Sequence, residues 1–510
     1  MWIATAAQSR EIDRRAIHER GIPSRILMER AGNAVFEAVS ELLTEGGKLA
    51  ILCGPGNNGG DGFVVARLAK ENGYCIDCLV AADDETRLSP DAKEQLDLAR
   101  AAGAMPIFAS EPRFQGKLDC LGCKGLIVDA LLGTGARSEV RGVVKEAILA
   151  INRSGVPTVA VDVPSGIACD TGEELGESVW ALRTVTFGLP KRFLFQGIGL
   201  EHSGYWSVAD IGFPEDLLQE PTEAMLIDRN WVSSLLPERL RASHKGDNGA
   251  VLIVAGSLRM RGAAVLSAMG ALGVGAGLVT VAGIDEVCDA VAAQVPEALL
   301  LPLPGENGRI APSAAPIVLA QMSKCEAAVF GPGMTHDAPV VEFLGRVWKE
   351  WDKPCVVDAD ALNAVANGLD LPGPDCILTP HPGEMARLLR TTTAEVQSDR
   401  FATVQQARDA TGKCVLFKGA HTIVGSSEHP MLVNPTGNPG MASGGMGDVL
   451  SGMLATLMAQ SLPDALAAGC GMFWHGYAAN LCADLIGPFG YKASDVATML
   501  PQARARMVQP

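Results

Sequence analysis

The sequence predicts an α/β protein of two domains, each organised around a parallel sheet. Three observations lead there. At 510 residues the chain is too long for a single hydrophobic core, since domains typically hold about 100–200 residues. Short apolar runs alternate with helical patterns, stop at a proline-containing stretch, and then start again. Glycine is abundant, 57 residues, while aromatics are only 5%; without a G-X-Y period that composition suits many tight strand-to-helix turns.

In chain order, the first half opens with an amphipathic helix over about Ala6 to Glu19. Strand-like runs follow at Leu49–Cys53, Cys75–Val80, Leu126–Asp129 and Thr158–Asp162, separated by helical patterns. Leu189–Gly212 reads as terminal strands. The segment from Phe213 to Pro237, with Pro214, Pro221 and Pro237, has no sustained periodicity and places the domain boundary; the domains are expected at 1–218 and 230–507. The second half restarts with Ala250–Ala255, Leu278–Ala282, Ala327–Phe330, Cys355–Asp358, Ile377–Thr379 and Cys414–Phe417. It ends in helices over Asp448–Ala459 and Asp464–Leu485.

Composition excludes several classes. Hydrophobic residues are 48% and charged residues 20%, which rules out wholesale disorder. Lys plus Arg at 42 against Asp plus Glu at 58 gives 42 − 58 = −16, a balance that repels phosphate backbones and anionic lipid. No nucleic acid and no membrane partner is expected, and a phosphorylated ligand must be held by local N–H groups or a few basic side chains. The uncharged stretch Gly262–Ile284 is long enough to span a bilayer, but its glycines predict a buried helix, a turn and a strand instead. Thirteen cysteines, an odd number, and the lack of a basic-then-apolar signal run over Met1–Arg10 point to reducing cytoplasm. The pairs Cys75/Cys78 and Cys120/Cys123 have the spacing of zinc half-sites, although buried thiols are the plainer expectation for a strand such as Tyr74–Val80.

Gly54-Pro-Gly56-Asn57-Asn58-Gly59-Gly60-Asp61-Gly62 lies between a strand and a helix and contains the G-x-G-x-x-G dinucleotide pattern. Asp77 stands at the spacing of a ribose contact. Two more strands end in carboxylates, Asp129 before Gly133-Thr134-Gly135 and Asp162 before Ser165-Gly166. Taken singly, each Asp reads as a helix cap. In an open parallel sheet, however, ligands bind beyond the carboxyl ends of strands, so Asn58, Asp129, Asp162 and Ser165 are expected to converge. Such oxygens suit a hard cation, with one carboxylate left for acid/base work.

In the second half, Asn438-Pro-Gly440-Met-Ala-Ser443-Gly444-Gly445-Met446-Gly447-Asp448 runs into a helix. Its consecutive N–H groups form an anion hole for a transferring phosphoryl group, and Asp448 is placed to take the proton of an attacking hydroxyl. Lys418 and the N–H groups of Gly419, Ala420, His421 and Thr422 follow a strand and suit a nucleotide phosphate. His381, in Thr379-Pro-His-Pro-Gly-Glu384, reads by itself as a hydrogen-bonded structural residue. Gly331-Pro-Gly333 and Asp358-Ala-Asp360 complete the set.

The N-terminal residues together resemble the NAD(P)H-hydrate epimerases: Glu11-Ile-Asp13, Leu27-Met-Glu-Arg-Ala-Gly32, the Asn-Asn-Gly-Gly-Asp-Gly loop, Val128-Asp-Ala-Leu-Leu-Gly-Thr-Gly135 and Val161-Asp-Val-Pro-Ser-Gly166. The resemblance covers about residues 1–215 and implies a Rossmann-like domain. It implies that Asn57, Asn58, Gly59, Gly60 and Asp61, with Gly133, Thr134, Gly135, Ala136, Arg137, Ser138 and Glu139, bind the hydrated dinucleotide. By the same likeness Asp162 contacts substrate and is the acid/base, and Asn58, Asp129 and Ser165 bind a potassium ion. Cys120/Cys123 is no part of that pattern.

Residues 230–505 resemble the ADP-dependent NAD(P)H-hydrate dehydratases, a branch of the ribokinase-like α/β superfamily, and the two families occur fused in this order. This likeness implies that Ala263, Gly333, His381 and Asp448 contact the S-hydrate, with Asp448 catalytic, and that Lys418–Thr422 and Gly447 contact ADP. Mg²⁺ on the phosphates is expected. Met446 stands where Thr or Ser is expected. The implied activity is repair of NADHX and NADPHX by a cytoplasmic homo-oligomer: epimerisation of the R and S forms, then ADP-driven dehydration of the S form to NAD(P)H with release of AMP and phosphate. The competing expectation is a ribokinase-like small-molecule kinase fused to a dinucleotide-sensing or scaffold domain.

Overall fold

The computed structural model describes residues 1–373 and 375–508. The chain divides into two units, one of residues 2–223 and the other of Met1 with the residues from Ala224 onward.

The first unit begins with helices α1 (Ala6–His18) and α2 (Ser24–Leu42). Thr5 caps α1 through a reciprocal box with Gln8, which satisfies two of the N–H groups that every helix start leaves open. Strand β1 (Lys48–Cys53) then leads into α3 (Asn57–Glu71), and β2 (Cys75–Val80) into α4 (Pro90–Ala101). After β3 (Ile107–Phe108) come α5 (Arg113–Asp119), β4 (Leu126–Ala130), α6 (Gly142–Ser154) and β5 (Thr158–Val161). Strands β6 (Arg183–Phe187) and β7 (Tyr205–Ala209) close the sheet, which runs β3-β2-β1-β4-β5-β6-β7 and is parallel throughout. The alternation of side chains along β1 explains its unbroken apolar sequence: Leu49, Ile51 and Cys53 enter one core while Ala50 and Leu52 enter the other. Both faces are covered, as crossover helices require.

The second unit is built on the order β8 (Ala224–Leu226), β17 (Met431–Val433), β16 (Ile423–Gly425), β15 (Cys414–Phe417), β14 (Cys376–Leu378), β13 (Cys355–Val357), β12 (Ala327–Phe330), β9 (Ala250–Val254), β10 (Leu278–Gly283) and β11 (Leu299–Pro302). Pairing is parallel from β11 to β15 and antiparallel for β15/β16 and β16/β17. Helices used below are α7 (Arg261–Gly273), α8 (Ala359–Ala366), α9 (Pro382–Leu388), α10 (Arg400–Thr411), α11 (Met446–Ala459), α12 (Asp464–Leu485) and α13 (Ala493–Val508). Helix α7 meets α11 at backbone distance: a Cβ on Gly270 would lie 2.1 Å from the Val449 carbonyl oxygen, and one on Gly452 would lie 1.9 Å from that of Ser267.

Most expected elements lie within a residue or two of their observed bounds. The stretch Gly262–Ile284 is a helix, a turn and a strand, and no helix among the described residues is long and apolar enough to cross a membrane. Four differences matter. Leu189–Gly212, read as terminal strands, holds a 3-10 turn (Arg192–Phe195), a short helix (Gly199–His202) and only β7, while β6 precedes it. Strands β16 and β17 were not expected; Lys418–Thr422 is therefore the bend of a hairpin and not a strand-to-helix turn. Strand Ile107–Phe108 is too short to show a period. Strand β8 and a helix over Arg229–Leu235 lie inside the segment read as irregular, and β8 pairs with β17.

Ala224 and Ile227 are fully buried in the second unit. A fragment beginning at Ala224 should therefore unfold cooperatively, whereas one beginning at Asn230 should be less stable by on the order of 2 kcal/mol, the worth of the lost apolar burial. Urea unfolding of the two fragments measures this, and equal midpoints would show that β8 adds nothing.

Candidate active sites

In the first unit β1, β4 and β5 lie side by side, so the loops after them open on the carboxyl edge of the sheet. Helix α3 starts at Asn57 with Gly56 as its N-cap and no side-chain cap, which leaves its first N–H groups for a ligand. The Asn58 amide donates to the Leu132 carbonyl at 2.9 Å. Ser165 Oγ accepts from the Leu132 N–H at 2.8 Å and donates to Asp129 Oδ1 at 2.6 Å, and its own N–H reaches Asp129 Oδ2 at 2.8 Å. Of the four residues expected to converge, Asn58, Asp129 and Ser165 are thus brought together around Leu132, whereas Asp162 bonds Thr186 and Lys191. Asp129 is inaccessible to solvent, and burial pushes its carboxyl up to about 6 against the pull of hydrogen bonds from Ser165 and Leu131.

Asp162 sits just past β5 with φ of 65°, a left-handed conformation tolerated by Asp better than by most residues. Lys191, 2% exposed, donates to Asp162 Oδ1 at 2.7 Å, to Thr186 Oγ1 at 2.8 Å and to the Phe187 carbonyl at 2.8 Å. Thr186 Oγ1 donates to the same carboxylate oxygen at 2.8 Å. Asp162 and Lys191 line a small open cleft of about 60 Å³ with Ser9, Asp13, Thr134 and Phe187. Asp13 is open to water in that cleft yet ringed by protein; the surrounding protein first, and then the charge of Asp162, push its carboxyl up to about 6, with Lys191 opposing. Asp61 is raised as well, by burial first and then by Asp162 and Asp13.

The other expected residues spread more widely. Asn57 Oδ1 accepts from Ser89 at 2.6 Å. Gly59 and Gly60 are buried, and Asp61 lies beyond the first turn of α3 rather than at its mouth, facing the Asp13 and Asp162 charges. Gly133 abuts Asn58, since a Cβ there would lie 3.1 Å from its Oδ1. Thr134 reaches the cleft, Ala136 is half-buried, and Gly135, Arg137, Ser138 and Glu139 are exposed, with Glu139 paired to Arg141. Asp77 is not placed for a ribose: it stands in mid-strand, held by Lys117 at 2.9 Å and by Lys124.

In the second unit Asp358, 1% exposed, follows β13. It accepts from Lys418 Nζ at 2.7 Å, Ser451 Oγ at 2.7 Å and the Ala359 N–H at 2.8 Å. Burial opposes its ionised form, but the Lys418 charge and these donors hold it below the usual carboxylate range. Lys418, despite its own burial, is raised by Asp358 and Glu384. Its ammonium lies under the start of α11, because a Cβ on Gly447 would stand 3.2 Å from Nζ and 3.7 Å from Asp358 Oδ2. Gly445, at φ 91°, is the N-cap of α11 with no side-chain cap, and Met446 is buried as its first residue. Asp448, in the first turn, is pushed up to about 7 by burial and by the charge of Asp358, with Lys418 opposing and Asp360 and Glu384 adding to the rise.

His381 caps α9: Nδ1 accepts from the Gly383 N–H at 3.0 Å, and Glu384 returns a bond to the His381 N–H at 2.9 Å. Burial, then Lys418 and Arg387, lower its affinity for a proton. Gly333, at φ 64°, touches Ala263, to whose Cβ a Cβ of its own would stand at 3.0 Å. Gly419 and Ala420 are exposed at the hairpin bend, His421 Nδ1 meets the Asn434 carbonyl at 2.8 Å, and Thr422 Oγ1 donates to the Gly419 carbonyl at 3.0 Å.

Residues that sequence reasoning did not single out are Asp13, Thr186, Lys191, Ser451 and Arg400. The Glu11-Ile-Asp13 motif was the one available signal; a lone Lys or Ser carries none. Arg400, buried behind the bend, stacks 4.3 Å from the centre of the Phe417 ring and donates to the Phe417 carbonyl at 3.3 Å and that of Lys418 at 3.4 Å. Among the described residues no group of three or more His, Cys, Asp or Glu side chains is disposed to hold a metal ion.

Two α/β units, each with an uncapped helix start and a lysine-bound aspartate at a strand end, define a two-domain α/β enzyme of the nucleotide-binding class. The second unit is similar to a solved ribokinase-like superfamily protein from Enterococcus faecalis, with a TM-score of 0.51 and 22% identity, covering 56% of this chain and 98% of that one. Residues 251–502 match the family described as NAD(P)H-hydrate dehydratase, and residues 24–193 match that described as YjeF-related protein N-terminus. Similarity to bifunctional NAD(P)H-hydrate repair enzymes runs nearly end to end: 37% identity to that of Moorella thermoacetica, over 98% of this chain and 96% of the relative, and 38% to that of Coxiella burnetii, over 96% of each. The chain belongs to the bifunctional NAD(P)H-hydrate repair enzyme family.

A raised Asp448 destabilises the fold when ionised. Stability should fall as pH rises from about 4, where an unfolded Asp titrates, to about 7, where the folded one does. Asp448→Asn should therefore stabilise the chain by up to about 4 kcal/mol near pH 8 and by almost nothing near pH 4. Urea unfolding at both pH values reads this, and a gain independent of pH would show that the carboxyl titrates normally.

Proposed function

We propose that residues 1–218 form the NAD(P)H-hydrate epimerase and residues 230–507 the ADP-dependent (S)-NAD(P)H-hydrate dehydratase. In the first, the loops Asn57–Asp61 and Gly133–Glu139 bind the hydrated dinucleotide. Asp162, oriented by Lys191 and Thr186, moves the proton at the hydrated carbon, and Asp13, on the same cleft, is the second titrating carboxyl. The raised proton affinity of Asp13 suits a proton-holding partner in a two-carboxyl site. Asn58, Asp129 and Ser165 present oxygen donors with a single carboxylate among them, a set that fits K⁺ better than a divalent ion; bound there, K⁺ would offset negative charge beside the substrate phosphates.

In the second, Asp448 takes the proton of the S-hydrate hydroxyl while the ADP β-phosphoryl group crosses the N–H groups of Gly444–Gly447. Ala263, Gly333 and His381 bound the hydrate, and Lys418–Thr422 and Gly447 the nucleotide. Phosphate then leaves with the electrons that hydroxide would have had to carry, giving NADH or NADPH, AMP and phosphate. Mg²⁺ fits as a ligand of the ADP phosphates without a protein cage of its own, where it would neutralise phosphate charge. With ATP held in the same way, the γ-phosphate would overshoot into the substrate's space. The enzyme acts on small molecules in the cytoplasm as a homo-oligomer, a reading supported by exposed Leu485, Ile486 and Phe489.

The observation that carries this reading is Asp448, near neutrality in its proton affinity at the mouth of an uncapped helix. The test is incubation of epimeric NADHX with ADP and Mg²⁺: dihydronicotinamide absorbance should return with AMP and phosphate in equal amounts. The ribokinase-like fold of the second unit favours one alternative, a small-molecule kinase, and more efficient turnover of ATP to ADP with a stable phosphorylated product would establish it.

Asp448→Asn should lower dehydration by about 10²- to 10⁴-fold, the usual worth of a general base, and leave epimerisation intact. Asp162→Asn should do the reverse, so that only the S fraction of a mixture is repaired quickly. Separate assays on resolved epimers distinguish the two, and near-parent rates from either variant would remove that residue from the chemistry.

A further inference from the structure

Of the 13 cysteines, ten are buried and three, Cys75, Cys120 and Cys123, are exposed. Buried thiols are inert packing; exposed ones are reactive in proportion to their surroundings. The three exposed thiols lie in one region, at the amino ends of the strands, on the opposite edge of the first sheet from the Asp162 cleft. Cys75 opens β2, and Cys120 and Cys123 precede β4.

Helix α5 ends at Asp119, Cys120 caps it, and a single 3-10 turn follows over Leu121–Cys123. The Cys123 N–H donates to the Cys120 carbonyl at 3.0 Å. A turn closed in this way brings its end Cα atoms within about 7 Å and eclipses the side chains at i and i+3, while a disulfide accepts Cα separations of about 4.4–6.8 Å. The hydrogen-bonded turn therefore holds the two residues at a separation compatible with a disulfide. Lys117 and Lys124 flank the turn, both held by Asp77, which shares a face of β2 with Cys75. The Lys117 ammonium is stabilised first by Asp77 and also by Cys120 and Cys75, which lie within its electrostatic reach. The turn thus carries Cys120 within reach of the Lys117 ammonium, and both of its thiols are open to solvent.

We propose that Cys120 and Cys123 form a reversible dithiol–disulfide site that exchanges with low-molecular-weight disulfides of the glutathione class. The Cys120 thiolate attacks the small disulfide and releases one thiolate, which takes up a proton. Cys123, as it loses its proton, attacks the Cys120 sulfur of the mixed disulfide and releases the second thiol. Two protein thiols are oxidised and one small disulfide is reduced to two thiols. In a reducing compartment such a pair stays reduced at rest and closes only under oxidation, as cytosolic disulfides generally do.

The test equilibrates the full-length protein in reduced and oxidised glutathione at a series of ratios, alkylates free thiols and maps peptides by mass. The peptide carrying Cys120 and Cys123 should lose two hydrogens and both alkylation sites as the ratio turns oxidising, and dithiothreitol should restore them. The C123S chain should hold glutathione on Cys120, and the C75S chain should behave as the parent. Independent alkylation of Cys120 and Cys123 at every ratio would overturn the proposal. So would oxidation that joins Cys75 to either of them or links two chains.

Discussion

A carboxylate removed from water must find a cation or several donors, or take up a proton. Both sites are organised by that requirement. In each unit one aspartate at a strand end is satisfied by a lysine at 2.7 Å: Asp162 by Lys191 and Asp358 by Lys418. A second carboxyl, exposed Asp13 or half-buried Asp448, shares the field without an ion pair of its own, and its proton affinity rises towards neutrality. The paired aspartate carries a fixed charge, and the second carboxyl holds its proton more tightly. Two folds with different sheet orders arrive at the same pairing of aspartate and lysine.

The parallel sheet gives this arrangement its geometry. Because neighbouring strands run in one direction, residues distant in sequence, such as Asn58, Asp129 and Ser165, end on one edge and meet around the Leu132 backbone. That convergence was legible in the sequence, since each strand is a short apolar run that ends at a carboxylate or a glycine. So was the Asp448 loop, whose glycines and acid stand next to each other in the chain.

What the sequence withheld is what depends on partners far away in it. Lys191 looks like any solvated lysine until Thr186 and Asp162 are seen around it. Lys418 was read as a phosphate ligand on an open turn; it is anchored by Asp358, and the turn is a hairpin bend because Ile423–Gly425 and Met431–Val433 are too short to show a period. Asp77 had the spacing of a ribose ligand but is held in mid-strand by two lysines. Cys75 and Cys78, three apart on one strand, face opposite ways, one exposed and one buried, as the pleat dictates.

The loop after β1 closes on itself at backbone distance. A Cβ on Gly54 would fall 1.8 Å from the Leu131 carbonyl oxygen, and one on Gly59 would fall 1.9 Å from that of Gly54. Neither glycine needs a ligand to explain it; the chain cannot follow this path with any other residue. A glycine-rich signature at such a loop is therefore evidence of how closely two main chains pass. Sequences that have lost all chemistry at the site would still be obliged to keep it, and the surrounding Asn, Asp and Lys residues are the ones that separate an active homologue from one that retains only the shape.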